Sequence, residues 1–315
     1  MIDAHVDTLG KALESGSSIL SFSGDSKLHA DVERLRKSGV KFQVFAMYVK
    51  ENDKPSHTIK RTMEMISLFH REARESDGSL SLVTRAEDID RLGDSDTMGG
   101  LLSIEGGEAL GGSLALLDCY FDLGVRLMGL TWSTRNELAD GVDAADNPSG
   151  LTHFGKRVIE RMNQLGMVVD LSHIAPPGFW DAWEISETPP IASHSNARAL
   201  CDHPRNLTDN QIKALAKRGG VIGVTFVPTF LSTEPATQDD VIRHIEYMMQ
   251  LVGGDSHVGL GSDFDGIQQT PEGLENVSRY PSLLQAMGNR GFSDESIRKI
   301  SGGNWERILR EILPP

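Results

Sequence analysis

Short apolar runs and longer amphipathic stretches alternate along the chain. Ile2–Asp7, Phe42–Val49, Leu101–Glu105, Val125–Trp132, Met167–His173, Pro190–His194, Val221–Val227 and Val258–Asp263 read as strands. Runs such as Gly166-Met-Val-Val-Asp and Gly220-Val-Ile-Gly-Val-Thr-Phe are continuously apolar, as expected for parallel strands covered on both faces. Between them, Asp31–Lys37, Thr58–Glu75, Ser113–Asp122, Leu151–Gln164, Thr208–Arg218 and Thr237–Val252 repeat apolar residues at helical spacing. Thr208 and Gln211 form the signature of a capping box, and Gly219-Gly220 ends that helix. Eight strands alternating with helices, with no Gly/Ser or Pro-rich linker, predict an α/β TIM (β/α)8 barrel of the amidohydrolase-like, metal-dependent kind. One domain would span residues 1–315.

Composition narrows the partners. The chain carries 31 Lys and Arg against 45 Asp and Glu, a net charge of −14, which would repel a nucleic-acid backbone. No apolar run approaches the ~20 residues of a membrane span. Two cysteines, Cys119 and Cys201, are too few for a disulfide framework and lie in no metal-binding spacing. With no secretory-signal pattern in the opening strand, a cytoplasmic location is expected.

Several predicted strands end on a residue able to bind a metal or carry a proton: Asp7, Glu105, His173, His194 and Asp263. His5 and Asp7, two apart in an extended strand, share a face and can grip one cation. In a closed parallel barrel such ends converge on one mouth. Singly, each residue has an ordinary explanation: a structural histidine, a helix cap at Asp7, or a helix N-terminal charge at Glu105. Together they would leave several polar groups at the ends of apolar strands, a costly arrangement without a shared partner. Three imidazoles and three carboxylates suit Zn²⁺, and they are enough for two ions about 3.5–4 Å apart. Mn²⁺ or Co²⁺ are alternative occupants of such ligands. His29, His57, His70 and His244 have polar neighbours and read as surface residues, and Asp265 as a turn residue.

The motifs DAHVDT, SIEGGEAL, LGVRLMGLTW, GMVVDLSHI, SHSNARALCDHPRN, HVGLGSDFDG, PEGLENVSRYP and SGGNWERIL run almost end to end. Through them the chain resembles the membrane (renal-type) dipeptidase family of binuclear zinc peptidases, as a soluble bacterial-type member. The resemblance implies a metal-dependent dipeptidase that hydrolyses small dipeptides with a zinc-bridging hydroxide and two Zn²⁺ per subunit. It implies that His5 and Asp7 bind the first zinc, Glu105 bridges both, and His173 and His194 bind the second. Asp263 would be the general acid/base, and Arg205 would hold the substrate carboxylate, for which a guanidinium fork is well shaped.

The chain departs from the mammalian members at Leu130-Thr131-Trp132, where they carry Leu-Thr-His. Trp132 offers one indole N–H and no acid–base function, so it reads as a wall of the substrate pocket, together with Tyr48 at the end of the second strand. That departure keeps open a second reading, an amidohydrolase-like enzyme acting on a lactone, β-lactam or other non-peptide amide. A third is a non-catalytic barrel that binds metal or peptide. A homodimer is the assembly suggested by the resemblance and by the prevalence of two-fold dimers.

Overall fold

The computed structural model describes residues 1–20, 28–50, 55–93, 96–144 and 146–315. Its strands are β1 (Ile2–Val6), β2 (Phe42–Tyr48), β3 (Leu80–Leu82), β4 (Met98–Glu105), β5 (Val125–Gly129), β6 (Val168–Asp170), β7 (Ile222–Val224) and β8 (Val258–Leu260). They pair in parallel in the order β6-β5-β4-β2-β1-β8-β7, with β3 attached to β4.

This ladder corrects the expected closed (β/α)8 barrel. The sheet is an open, curled half-barrel whose edges, β6 and β7, stand 10 Å apart. Residues 190–194, predicted as a strand, run between those edges and make only single-residue bridges, Asp170 to Ile191 and Ala192 to Ile222. Two local features keep this segment from a regular ladder. Pro190 has no N–H to donate, and the Ser193 N–H is taken by the Asp170 carboxylate at 2.9 Å. The Ser193 carbonyl presses so closely on Gly223 and Gly261 that a Cβ at either would overlap it. The short strand β3 was not apparent in the pattern.

The helices largely follow the predicted periodicity. Asp209–Lys217 begins with the Thr208/Gln211 capping box, and Gln238–Val252 begins with a second box from Thr237 and Asp240. Helices outside the predicted set include Ala86–Leu92, Pro176–Ile185, Pro228–Leu231, Tyr280–Asn289 and Asp294–Arg298. Among the described residues no helix is long and apolar enough to cross a membrane.

Consecutive strand residues fall into two different apolar clusters, so both faces of the sheet are covered. Leu102, Met128, Val169 and Ile222 join the larger cluster, in which the outer helices take part. Their neighbours Leu101, Leu127, Val168 and Val221 join a smaller one with Ile2, Ala4, Val44 and Ile191. Trp305, Ile308, Leu309 and Ile312 of the helix Asn304–Ile312 complete the smaller cluster. By the two-residue strand period, Glu105 shares a face with Leu101, Asp170 with Val168, and Ser193 with Ile191. The candidate site is thus built on the C-terminal continuation of this second apolar face. A cavity of about 430 Å³ is lined instead by Met1, Ile2 and Phe42 at the opposite strand ends, where none of the metal-ligating candidates lies.

Candidate functional site

Each candidate side chain is delivered by the end of a strand or by the turn after it. Asp7 follows β1 directly and precedes the helix Thr8–Ser15, yet its carboxylate makes no capping hydrogen bond to that helix. The structural alternative for Asp7 is therefore not the one adopted. Glu105 is the last residue of β4, and His173 and Asp263 come three residues after β6 and β8. His173, Asp263 and Asp265 hold left-handed backbone angles, with φ of 68°, 66° and 70°. Such conformations are unfavourable for residues other than glycine and concentrate at functional sites. Here they turn the chain sharply at the strand ends. Main-chain bonds from Asp263 N to His5 O (3.0 Å) and from Asp7 N to Phe264 O (2.9 Å) lock the β1 and β8 ends together.

The structure brings all six predicted metal-site and proton-transfer residues together. His5 Nε2 lies 3.5 Å from Asp7 Oδ2, 3.6 Å from Glu105 Oε2 and 3.9 Å from Asp263 Oδ1. On the other side, Glu105 Oε1 lies 2.9 Å from His173 Nε2 and 3.5 Å from His194 Nε2, and the two Nε2 atoms are 2.8 Å apart. Two overlapping groups have ligand atoms close enough for one cation each: His5, Glu105 and His194, and His5, Asp7 and Asp263. Among the described residues, His5 Nε2 is buried and has no hydrogen-bond partner, although three carboxylates surround it. Those separations are too long for hydrogen bonds and suit shared coordination. The donor set therefore fits the expected divalent ions.

The electrostatics follow from burying three carboxylates and three imidazoles in one nest. Burial works against the charged form of His5, but Glu105 and Asp7 outweigh it and hold its pKa well above the ordinary imidazole value. Burial likewise opposes ionisation of Glu105, but His5, then His173 and His194, keep it well below the usual carboxylate range. Burial and the Arg205 charge push His173 down to about 4. Burial and His5 push His194 well down. Burial raises Asp263 well above its ordinary value against the pull of His5, with Asp7 and Glu105 adding to the rise. Like groups are thus pushed apart in proton affinity, His5 from the other two imidazoles and Asp263 from Glu105, a pattern common at catalytic sites.

Asp7, Glu105, His173 and Asp263 open into a cavity of about 220 Å³ walled by Tyr48, Trp132, Val227, Phe230 and Ile267. Tyr48 and Trp132 are ring neighbours at 5.0 Å, and Trp132 lies 5.9 Å from the His173 ring. Both predicted wall residues thus line the cavity. Arg205 does not. It is buried beside His173 in a separate small pocket and donates to the His194 carbonyl (2.8 Å) and Ser195 Oγ (3.3 Å). Its Nε has no partner among the described residues, and its guanidinium stands 5.6 Å from the ring of Phe230.

Sequence reasoning passed over several residues at the site. Gly266 lies so close that a Cβ there would overlap Asp7 Oδ2 and Asp263 Oδ1; its place in GSDFDG was the available signal. Ser133 Oγ contacts His173 Nδ1 at 3.0 Å, and Ser193 Oγ contacts His194 Nδ1 at 2.7 Å. Asp3 and Asp170, both buried, brace the strand ends beneath the nest. Asp265 does sit in a turn, but it also accepts from Thr8 Oγ1 (2.6 Å) and from the backbone of His29 and Ala30. His29 is accordingly half-buried rather than a surface residue. His244 is fully buried, between Ala197 N and the Leu231 carbonyl.

Residues 1–313 match the membrane dipeptidase family, peptidase family M19. Dipeptidase aclJ of Aspergillus oryzae is 34% identical over 307 residues, which cover 93% of this chain and 72% of that protein. Dipeptidase tcpJ of Claviceps purpurea is 34% identical over 295 residues, 90% of this chain and 69% of the other. A metallopeptidase from Rhodobacter sphaeroides, solved with a phosphinate mimic of the dipeptide L-Ala-D-Ala, has a TM-score of 0.92 at 27% identity, with 99% of this chain and 98% of that one aligned.

Proposed function

The chain belongs to the membrane dipeptidase family, and from that premise and the six-residue nest we propose how it works as a metal-dependent dipeptidase acting on small peptides. The carrying observation is His5 Nε2, buried among three carboxylates without a hydrogen-bond partner among the described residues and joined through Glu105 to two further imidazoles.

In this reading His5 and Asp7 would hold one ion and His173 and His194 the other, with Glu105 available to both, and zinc is the occupant favoured by the nitrogen and carboxylate donors. Two such ions, when bound, supply Lewis acidity that activates water and polarises a carbonyl. The remaining work falls to the chain's own groups. Asp263 faces the cavity, and its raised proton affinity suits a carboxyl that takes a proton from the attacking water and passes it to the departing amine. Tyr48, Trp132, Val227, Phe230 and Ile267 exclude water and bound a space of about 220 Å³, suited to a small substrate rather than a folded chain. Arg205, charged and close behind the histidines, would receive the substrate's carboxylate through a side-chain adjustment toward Phe230.

The test is turnover of a panel of L,L and L,D dipeptides by the zinc-loaded protein, run beside lactones and N-acylated analogues. Dipeptides should be cleaved fastest. A large excess on lactones, or no dipeptide cleavage by fully loaded protein, would overturn the reading.

A further inference from the structure

We propose that Ser193 is a positioning residue which, held by Asp170, fixes the neutral proton of His194 on Nδ1 and so leaves Nε2 bare toward the nest. The consequence for metal binding rests on the functional reading above, whereas the place of the proton does not.

The supply of donors and acceptors around Ser193 decides the tautomer. A serine hydroxyl has one proton, a carboxylate only accepts, and a neutral imidazole has one N–H and one bare nitrogen. Ser193 Oγ lies 2.5 Å from Asp170 Oδ2 and 2.7 Å from His194 Nδ1. If the hydroxyl donated to the imidazole, two oxygen lone pairs would face each other at 2.5 Å across the Asp170 contact. The hydroxyl therefore donates to Asp170 and accepts from His194 Nδ1–H. Its remaining neighbour, Ser172 Oγ at 3.4 Å, is too distant to compete. The other Asp170 oxygen accepts the Ser172 and Ser193 backbone N–H groups at 3.0 and 2.9 Å, which fixes the orientation of the carboxylate. Asp170, Ser193 and His194 are all buried.

The neighbouring imidazole is held differently. Among the described residues, Ser133 Oγ, which contacts His173 Nδ1, has no carboxylate partner. With the His194 proton on Nδ1, the 2.8 Å contact between the two Nε2 atoms needs its proton from His173, whose Nε2 also lies 2.9 Å from Glu105 Oε1. Two adjacent histidines therefore carry opposite tautomers in the metal-free protein: Nε2–H on His173 and Nδ1–H on His194.

Long-range ¹H–¹⁵N correlation of the imidazoles in full-length, chelator-stripped protein reads this directly, and zinc titration reads the consequence. In Asp170→Asn the carbonyl keeps the two backbone N–H bonds. The amide then donates to Ser193 Oγ, which must donate to His194 Nδ1. The His194 proton should move to Nε2 and zinc affinity should fall about 10–100-fold, the usual range for residues that orient a ligand. Ser193→Ala keeps the Asp170 backbone contacts and should give mixed His194 tautomers with weaker zinc binding. A wild-type His194 protonated on Nε2, or a single Nδ1–H population in both variants with unchanged zinc affinity, would overturn the proposal. If Asp170→Asn lacks a cooperative thermal transition, the serine variant decides alone. Failure of the wild type to bind zinc would count against the metal reading while leaving the tautomer result standing.

Discussion

Where β1 meets β8, the strand ends place two carboxylates, Asp7 and Asp263, around a single imidazole, His5. Where β6 meets residues 191–194, they place two imidazoles, His173 and His194, with their Nε2 atoms 2.8 Å apart. Beneath each half lies a buried aspartate that grips the serine just before a site residue. Asp3 accepts from Ser262 N (2.9 Å) and Oγ (2.7 Å), ahead of Asp263. Asp170 accepts from Ser193 N and Oγ, ahead of His194. The same backbone device thus serves opposite ligand chemistries. The two serines differ in their second partner: Ser262 Oγ accepts from Phe264 N (3.2 Å), whereas Ser193 Oγ meets an imidazole and so sets its tautomer. Asp3 is tied further to Tyr280 OH and His5 N, making the acid-rich half the more heavily braced.

Glu105 reaches His5 on one side and His173 and His194 on the other, so its loss should erase the distinction between the halves. Glu105→Ala should reduce dipeptide turnover to background and prevent retention of two metals, read by metal analysis after gel filtration. Asp263→Asn probes the acid-rich half alone. Turnover should fall about 10²–10⁴-fold with metal content preserved, the scale of a lost general acid/base. An Asp263→Asn variant with wild-type kcat would remove Asp263 from the proton path.

The braces should separate stability from ligation. Asp3→Asn leaves at least one buried donor, from Ser262, Tyr280 or His5, without an acceptor. It should lower unfolding stability by about 1–3 kcal/mol in denaturant titrations, with less effect on zinc affinity than Asp170→Asn. Equal effects of the two variants on both readouts would show that the halves are braced for the same purpose.

The smallest effect expected is a pH response specific to the imidazole-rich side. His244 Nδ1 accepts from Ala197 N, three residues after His194, and Nε2 contacts the Leu231 carbonyl. Burial, opposed by the Leu231 bond, lowers its pKa below the ordinary 6.5. The fold therefore favours neutral His244. Its contribution is fully present above the unfolded value near 6.5 and is lost as pH falls through the lower folded value. His244→Gln should flatten the decline of unfolding stability as pH falls below about 6.5, and an unaltered pH profile would exclude this role.

Much of the site was legible because its residues end apolar strands. The two-residue period placed His5 and Asp7 on one face, and a polar residue at the end of each apolar run picked out Glu105, His173, His194 and Asp263. The closure of the sheet was not legible. Apolar content marks Pro190–His194 as buried, but it does not reveal that the Ser193 N–H bonds a side chain or that the edges β6 and β7 stay apart. Asp3 and Asp170 were passed over because a lone acid within a strand does not announce which donors will reach it. His244 was misread from its polar neighbours, yet Val241, Ile245 and Met248 surround it at helical spacing, and that stripe marked it as inward-facing. Arg205 was expected from its motif to hold the substrate carboxylate; its place beside His173 in a separate small pocket depends on the path of residues 194–207, which periodicity does not encode.

Zinc titration of the metal-stripped wild-type chain, with dipeptide turnover measured at every addition, bears most directly on the two-sided site. Two zinc ions per chain, with turnover complete only when the second is bound, is the predicted result. Saturation at one ion or none, or full turnover in excess chelator, would contradict it.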